Sequence, residues 1–156
     1  MKTKLILVLL MLASLTANAQ TIDKLIDKYS NDKDCEYVSI QKGLFNLTQW
    51  LGGANIDKET KEVLSRIKTM KILTINLDNK AALRRNFQVE LDKVLTRGNF
   101  EKMMVTRNKT DHSTVYGSTD TNNGSELVIV AQNDDQLSLI IMKGNLTHDD
   151  LEKIAK

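Results

Sequence analysis

The feature that most constrains this chain is a single change of hydrophobic period. Before Gly98 most apolar residues recur three and four apart, as in Leu83, Phe87, Leu91, Val94 and Leu95. After it they alternate, as in Leu137, Leu139 and Ile141 set against Ser138, Ile140 and Met142. Spacings of three and four put residues on one stripe of a helix, whereas alternation puts them on one face of a strand. The two periods together predict an α+β fold. Two layers are expected, with an antiparallel or mixed sheet of about five or six strands and helices mainly on one face.

The first residues stand apart from that pattern. Lys2 and Lys4 precede the apolar run Leu5 to Leu12, and Ala17-Asn18-Ala19 places small residues where a signal peptidase reads them. Residues 1-19 therefore read as a cleavable signal peptide, and residues 20-156 as a single α+β domain. The apolar run falls well short of the roughly 20 residues that cross a bilayer. A lipid anchor would need a cysteine directly after the leader, where Gln20 stands. The expected location is periplasmic or secreted, with no membrane span.

Removing the leader also removes the charge excess. The full chain carries 22 Lys and Arg against 20 Asp and Glu, and Lys2 and Lys4 are the only charges in the leader. The remainder is balanced and lacks the cationic surplus and interleaved aromatics of a nucleic-acid binder. Arg84-Arg85 reads as part of a solvated helix face. Cys35 is the only cysteine, so no intrachain disulfide is possible. It can be a buried small hydrophobe, a free thiol or half of an intermolecular bridge.

Spacing further predicts a helix over 21-30 with Ile22, Leu25, Ile26 and Tyr29 buried, and a strand over 35-41. A second helical pattern holds Leu44, Leu47, Trp50 and Leu51, closed by Gly52-Gly53. A surface helix over 57-69 buries Val63, Leu64 and Ile67, and a strand over 70-77 follows. Asp78-Asn79 is expected to cap the long helix that Gly98 ends. Strands at 102-107, 113-118, 126-132 and 136-143 are joined by Asn- and Asp-rich turns, which points to antiparallel neighbours. Half-apolar on its second face, the strand over 136-143 belongs near the sheet centre. Thr147 caps a last helix with Asp149 and Asp150 in its first turn and Leu151 and Ile154 buried.

The run Tyr37-Val38-Ser39-Ile40-Gln41-Lys42-Gly43-Leu44-Phe45 resembles the opening of exported bacteroidete proteins grouped as domain-of-unknown-function family 4252. Ile67-Lys68-Thr69-Met70-Lys71-Ile72-Leu73 and Leu139-Ile140-Ile141-Met142-Lys143-Gly144-Asn145-Leu146 resemble later blocks of that family, in the same order. The resemblance implies a small exported protein of a Gram-negative bacterium and carries no catalytic residues across. It also implies a lipidated cysteine in many relatives, from which Gln20 departs.

Reactive groups are scattered. Asp111-His112-Ser113 holds the residue types of a hydrolytic triad, but neighbours on a strand point to opposite faces. His148 and the pairs Asp134/Asp135 and Asp149/Asp150 are explained by turn and cap chemistry. Zinc would have to draw on Cys35, His112 and His148, which share no ligand spacing. Asn31, Asp32, Asp34 and Glu36 alternate oxygen ligands for calcium but lack the glycine that a calcium loop needs. Gly-x-Gly-x-x-Gly and Walker motifs are absent from the sequence. Phe45 and Trp50 read as core rather than as an exposed recognition spot.

This reading assigns no catalytic, cofactor-binding or metal-ligating residue. It favours a non-catalytic module that binds an unidentified protein, peptide or envelope ligand through a sheet face or hairpin edge. The alternative is a hydrolase using Asp111, His112 and scattered carboxylates.

Overall fold

A computed structural model of the protein describes residues 21-41, 58-78, 80-118 and 124-150. The expected helix over 44-51, Gly52-Gly53, Phe45, Trp50, Leu151 and Ile154 lie outside these residues.

In chain order the elements are α1 (Ile22–Tyr29), β1 (Cys35–Gln41), α2 (Lys58–Ser65), β2 (Ile67–Asn76) and α3 (Ala81–Arg97), followed by β3 (Glu101–Arg107), β4 (His112–Ser118), β5 (Ser125–Gln132) and β6 (Gln136–Gly144). A final helical turn, α4, opens at 148-150. The strands form one six-stranded sheet in the order β1-β2-β6-β5-β4-β3. Every pairing is antiparallel. The α+β expectation holds, and β6 lies in the interior of the sheet as its two apolar faces require.

Alternation divides the side chains between the two faces. Leu73, Ile75, Val128, Leu137, Leu139 and Ile141 form one core with Ile22, Leu25, Ile26 and Tyr29 of α1 and Phe87, Leu91, Val94 and Leu95 of α3. The Tyr29 and Phe87 rings meet edge to face, with centroids 5.1 Å apart. On the opposite face Val63 of α2 joins Ile67, Val115, Leu127 and Leu146 in a smaller core.

Two local expectations are corrected. Ile67 begins β2 instead of continuing the preceding helix: Arg66 N–H bonds back to the Val63 carbonyl, and Ile67 pairs with Gly144. Asp78 does not cap α3. Asn76 Oδ1 accepts from Asp78 N–H in an Asx turn, and the N-cap position is Lys80, which makes no side-chain cap bond.

The C-terminal cap is as expected. Thr147 Oγ1 accepts from Asp150 N–H at 3.2 Å, while Asp150 Oδ2 accepts from Thr147 N–H at 2.9 Å, a reciprocal capping box. The segment leading to it passes tightly beside β2. A Cβ on Gly144 would collide with the Arg66 carbonyl oxygen, and one on Gly124, at φ +105°, would sit 2.5 Å from the Gly144 carbonyl oxygen.

Candidate functional site

Where each strand's polar backbone points determines what the sheet can offer a partner. Asn76 N–H donates to the Asp34 carbonyl at 3.1 Å, one step beyond the Cys35/Ile75 pair. In an antiparallel ladder hydrogen-bonded pairs recur every second residue. Glu36, Val38 and Ile40 therefore bond to β2, while Tyr37, Ser39 and Gln41 turn their N–H and C=O groups to the edge that no other described strand pairs; Cys35 turns only its C=O there, since its N–H donates to the Asp32 carbonyl at 3.0 Å. The bond from Leu77 N–H to the Asp135 carbonyl fixes the complementary parity on the other side of β2, where odd-numbered residues face β6.

This edge exposes two apolar side chains. Val38 is 50% exposed and Tyr37 37%, side by side on β1, and Glu36 and Ser39 flank them in solvent. Val38 also ends a row that crosses the whole sheet, since the pairings align Val38, Ile72, Ile140, Ile129, Val115 and Met104 on one face. Within that row only Val115 is buried, whereas Ile72, Ile140, Ile129 and Met104 are partly exposed.

The opposite edge is built differently. β3 carries Glu101, Lys102 and Arg107, and its register with β4 shifts between Lys102 and Met104. Charge and a bulge are the usual devices that stop an edge from pairing. β1 has neither lysine nor proline, and its register with β2 runs unbroken.

Two concavities also lie on the described surface. The larger, about 520 Å³, lies between α2 and the α4 turn, where Lys58, Glu59, Glu62, Arg66, Asp149 and Asp150 contribute charge. Arg66 bridges Asp150 at 2.6 Å and Glu62 at 3.0 Å. The backbone N–H of Thr147 holds the Asp150 carboxyl below its ordinary range; burial opposes this, and Arg66 reinforces it. A carboxylate held ionised in this way is no general acid at neutral pH. Its bonds clasp α2 to the start of α4.

The smaller cavity, about 150 Å³, adjoins the start of β1 and is lined by Asp34, Cys35, Glu36 and Asn76 among others. Cys35 is half-buried and unbridged, packed against the α1/α3 core. Burial, then Asp32 and Asp34, push its thiol up to about 11, so it is not a thiolate nucleophile near neutrality.

The sequence-designated groups do not converge here. Asp111 and His112 are both exposed where β4 begins, and neither lines either cavity. Asp111 accepts from Thr110 Oγ1, and His112 pairs with Arg107 and Gln132. His148 is exposed in the α4 turn. Of the calcium candidates, Asp34 is engaged by Lys80 at 2.9 Å and Asp32 accepts from Asp34 N–H. Among the described residues no group of three or more His, Cys, Asp and Glu side chains is placed to hold a metal ion. Nor is any helix among them long and apolar enough to cross a membrane.

Tyr37 and Val38 were visible in the sequence only as strand formers. Their exposure follows from strand order, which no local pattern encodes.

Among known protein families, the one described as domain of unknown function (DUF4252) matches residues 29–154 of the chain. No curated protein and no solved structure matches the chain.

Proposed function

This chain belongs to the DUF4252 family of domains of unknown function, and from that premise we propose that it is a non-catalytic interaction module that adds an extended protein segment to the β1 edge of its sheet. The observation that carries the proposal is the pairing of an unprotected edge backbone with exposed Tyr37 and Val38. Strand addition draws affinity from main-chain hydrogen bonds and selectivity from alternate side chains. Tyr37, Ser39, Gln41 and the Cys35 carbonyl offer the first, and the half-covered row from Val38 to Ile129 offers the second. We place the module outside the cytoplasm on the strength of the leader pattern in residues 1-19.

The test uses residues 20-156 and a displayed library of seven-residue peptides with alternating β-branched positions. Selected binders should lose at least about tenfold in affinity on Ser39→Pro, which deletes an outward N–H without breaking a bond to β2. They should be indifferent to Val105→Pro on the other edge. Binders that respond equally to both changes, or to neither, would refute the reading.

A further inference from the structure

We propose that the occupant of the β1 edge is a second copy of this chain, paired antiparallel through β1 about a two-fold axis at Val38. The inference rests on the edge-binding reading above and names its partner.

A strand pairs with its own copy only if hydrogen-bonding positions meet hydrogen-bonding positions and no like charges coincide. With Val38 on the axis, Tyr37 faces Ser39 of the other copy and Cys35 faces Gln41. Tyr37, Ser39 and Gln41 direct their N–H and C=O groups outward, as the Asn76–Asp34 bond establishes, and Cys35 its C=O, which can accept from Gln41 N–H of the other copy; Cys35 N–H stays with the Asp32 carbonyl. Val38 then meets its own counterpart in a non-hydrogen-bonded pair, where side chains approach most closely. Glu36, the only charge on β1, falls opposite Ile40 and so never meets itself.

Centring the axis on Tyr37 or Ser39 leaves an end of the strand unpaired, and centring it on Glu36 brings two carboxylates together. Val38 is thus the centre that pairs the whole of β1.

A two-fold axis perpendicular to the sheet keeps like faces together. The row Ile129, Ile140, Ile72 and Val38 therefore continues into Val38 and Ile72 of the second copy, joining two half-covered apolar strips into one. β3 cannot substitute, because its bulge and its mixed charges break the ladder. One strand edge is a small contact, at the weak end of specific interfaces, so the association is concentration-dependent.

Sulfhydryl crosslinking reads the register directly. In a Cys35→Ser background, Val38→Cys places two thiols across a pair whose Cα separation, about 4.5 Å, suits a disulfide. Val105→Cys is the control: at 45% exposed, Val105 is as accessible as Val38 but lies on the β3 edge. In a glutathione redox buffer the Val38→Cys protein should form covalent dimer at least about tenfold faster than the control. Wild-type protein should sediment as a monomer–dimer equilibrium that Ser39→Pro shifts to monomer.

Equal crosslinking rates would overturn the proposal, as would wild-type protein that stays monomeric at about 1 mM. If it stays monomeric while library peptides still bind in a Ser39-dependent way, the second-copy inference falls and the edge reading stands. If Ser39→Pro alters neither behaviour, both fall.

Discussion

Replacing Asp23 by alanine should lower stability by about 2 kcal/mol. Asp23 lies in the first turn of α1, and its two carboxylate oxygens serve two lysines of the sheet, Lys71 at 2.7 Å and Lys143 on the next strand. Lys143 also reaches Glu126 at 2.7 Å. The four side chains make a chain of alternating charge, Lys71–Asp23–Lys143–Glu126, that fastens α1 to β2, β6 and β5. At an effective dielectric near 20 each contact is worth about 5–6 kcal/mol gross, but burying the charges returns most of that.

Exposure decides the remainder. Asp23 is 32% exposed, Lys71 23% and Lys143 26%, between a surface pair worth under about 1 kcal/mol and a buried one whose rupture costs about 3–5 kcal/mol. Glu126 remains to compensate Lys143, so the main loss falls on Lys71. To this the missing acid in the first turn of α1 adds about 0.5 kcal/mol. Urea unfolding of residues 20-156 should show the midpoint change, and the melting temperature should drop by about 6 °C.

The pH dependence has a defined sign. Burial pushes the Asp23 carboxyl up, and the hydrogen bonds and charges of Lys143 and Lys71 outweigh it, leaving it below 3.8. Its contribution is complete above pH 3.8 and disappears as pH falls through the depressed folded value. Burial pulls both lysines down, but Asp23 raises each above 10.5, with Glu126 assisting Lys143. Their share is complete below pH 10.5 and is lost as pH rises through the raised values. The difference between wild type and Asp23→Ala should therefore be flat between these limits and shrink beyond both. A loss below about 0.5 kcal/mol, or one abolished by 0.5 M salt, would refute the reasoning, because it would mark the network as an ordinary exposed pair.

Gly144→Ala should destabilise more than Asp23→Ala, by about 3 kcal/mol or more, because the new methyl meets the backbone of Arg66 and Ile67, which cannot rotate away; thermal denaturation reads the loss. Ser125→Ala should cost about 1–3 kcal/mol, since its buried hydroxyl accepts from Leu146 N–H at 2.7 Å and lies within bonding reach of the Gly144 and Leu146 carbonyls, leaving that N–H unsatisfied. Hydrogen exchange at Leu146 would report the same event locally. With its thiol raised to about 11, Cys35 should react with an aromatic disulfide at pH 8 about a hundredfold more slowly than an ordinary thiol, and return to the ordinary rate in urea.

How far these features could be read from the residues depended on how local their causes are. β1 and the strands after Gly98 were legible because alternation and turn residues act within a few positions; Asn133 Oδ1 accepting from the N–H groups of Asp135 and Gln136 is such a turn. The Thr147 cap was legible for the same reason. Ile67 was misread because Val63, Leu64 and Ile67 satisfy helical spacing, and only pairing with Gly144, far along the chain, pulls Ile67 into the sheet. The expected Asp78 cap failed because Asn76, two residues earlier, makes the competing turn, while Asn79 lies outside the described residues. Asp23 and Lys143 are 120 positions apart, and no periodicity encodes a contact at that distance.

The candidate site illustrates the same division. A strand over 35-41 was legible, yet whether a strand lies at the edge or in the interior is a property of strand order. Composition did hold a partial signal. β6, flanked on both sides, has Leu137, Leu139 and Ile141 on one face and Ile140 and Met142 on the other; β1, flanked on one side, intersperses Glu36, Ser39 and Gln41 among its apolar residues. What composition could not supply is the contrast between the two edges. Both carry an exposed valine, Val38 and Val105, so side-chain exposure alone does not distinguish them. The distinction lies in the ladder: β3 loses register between Lys102 and Met104, and β1 keeps it from Cys35 to Gln41. A partner strand needs consecutive outward-facing donors and acceptors in step; β1 provides them from Tyr37 to Gln41, whereas β3 does so only from Val105 onward, beyond its bulge.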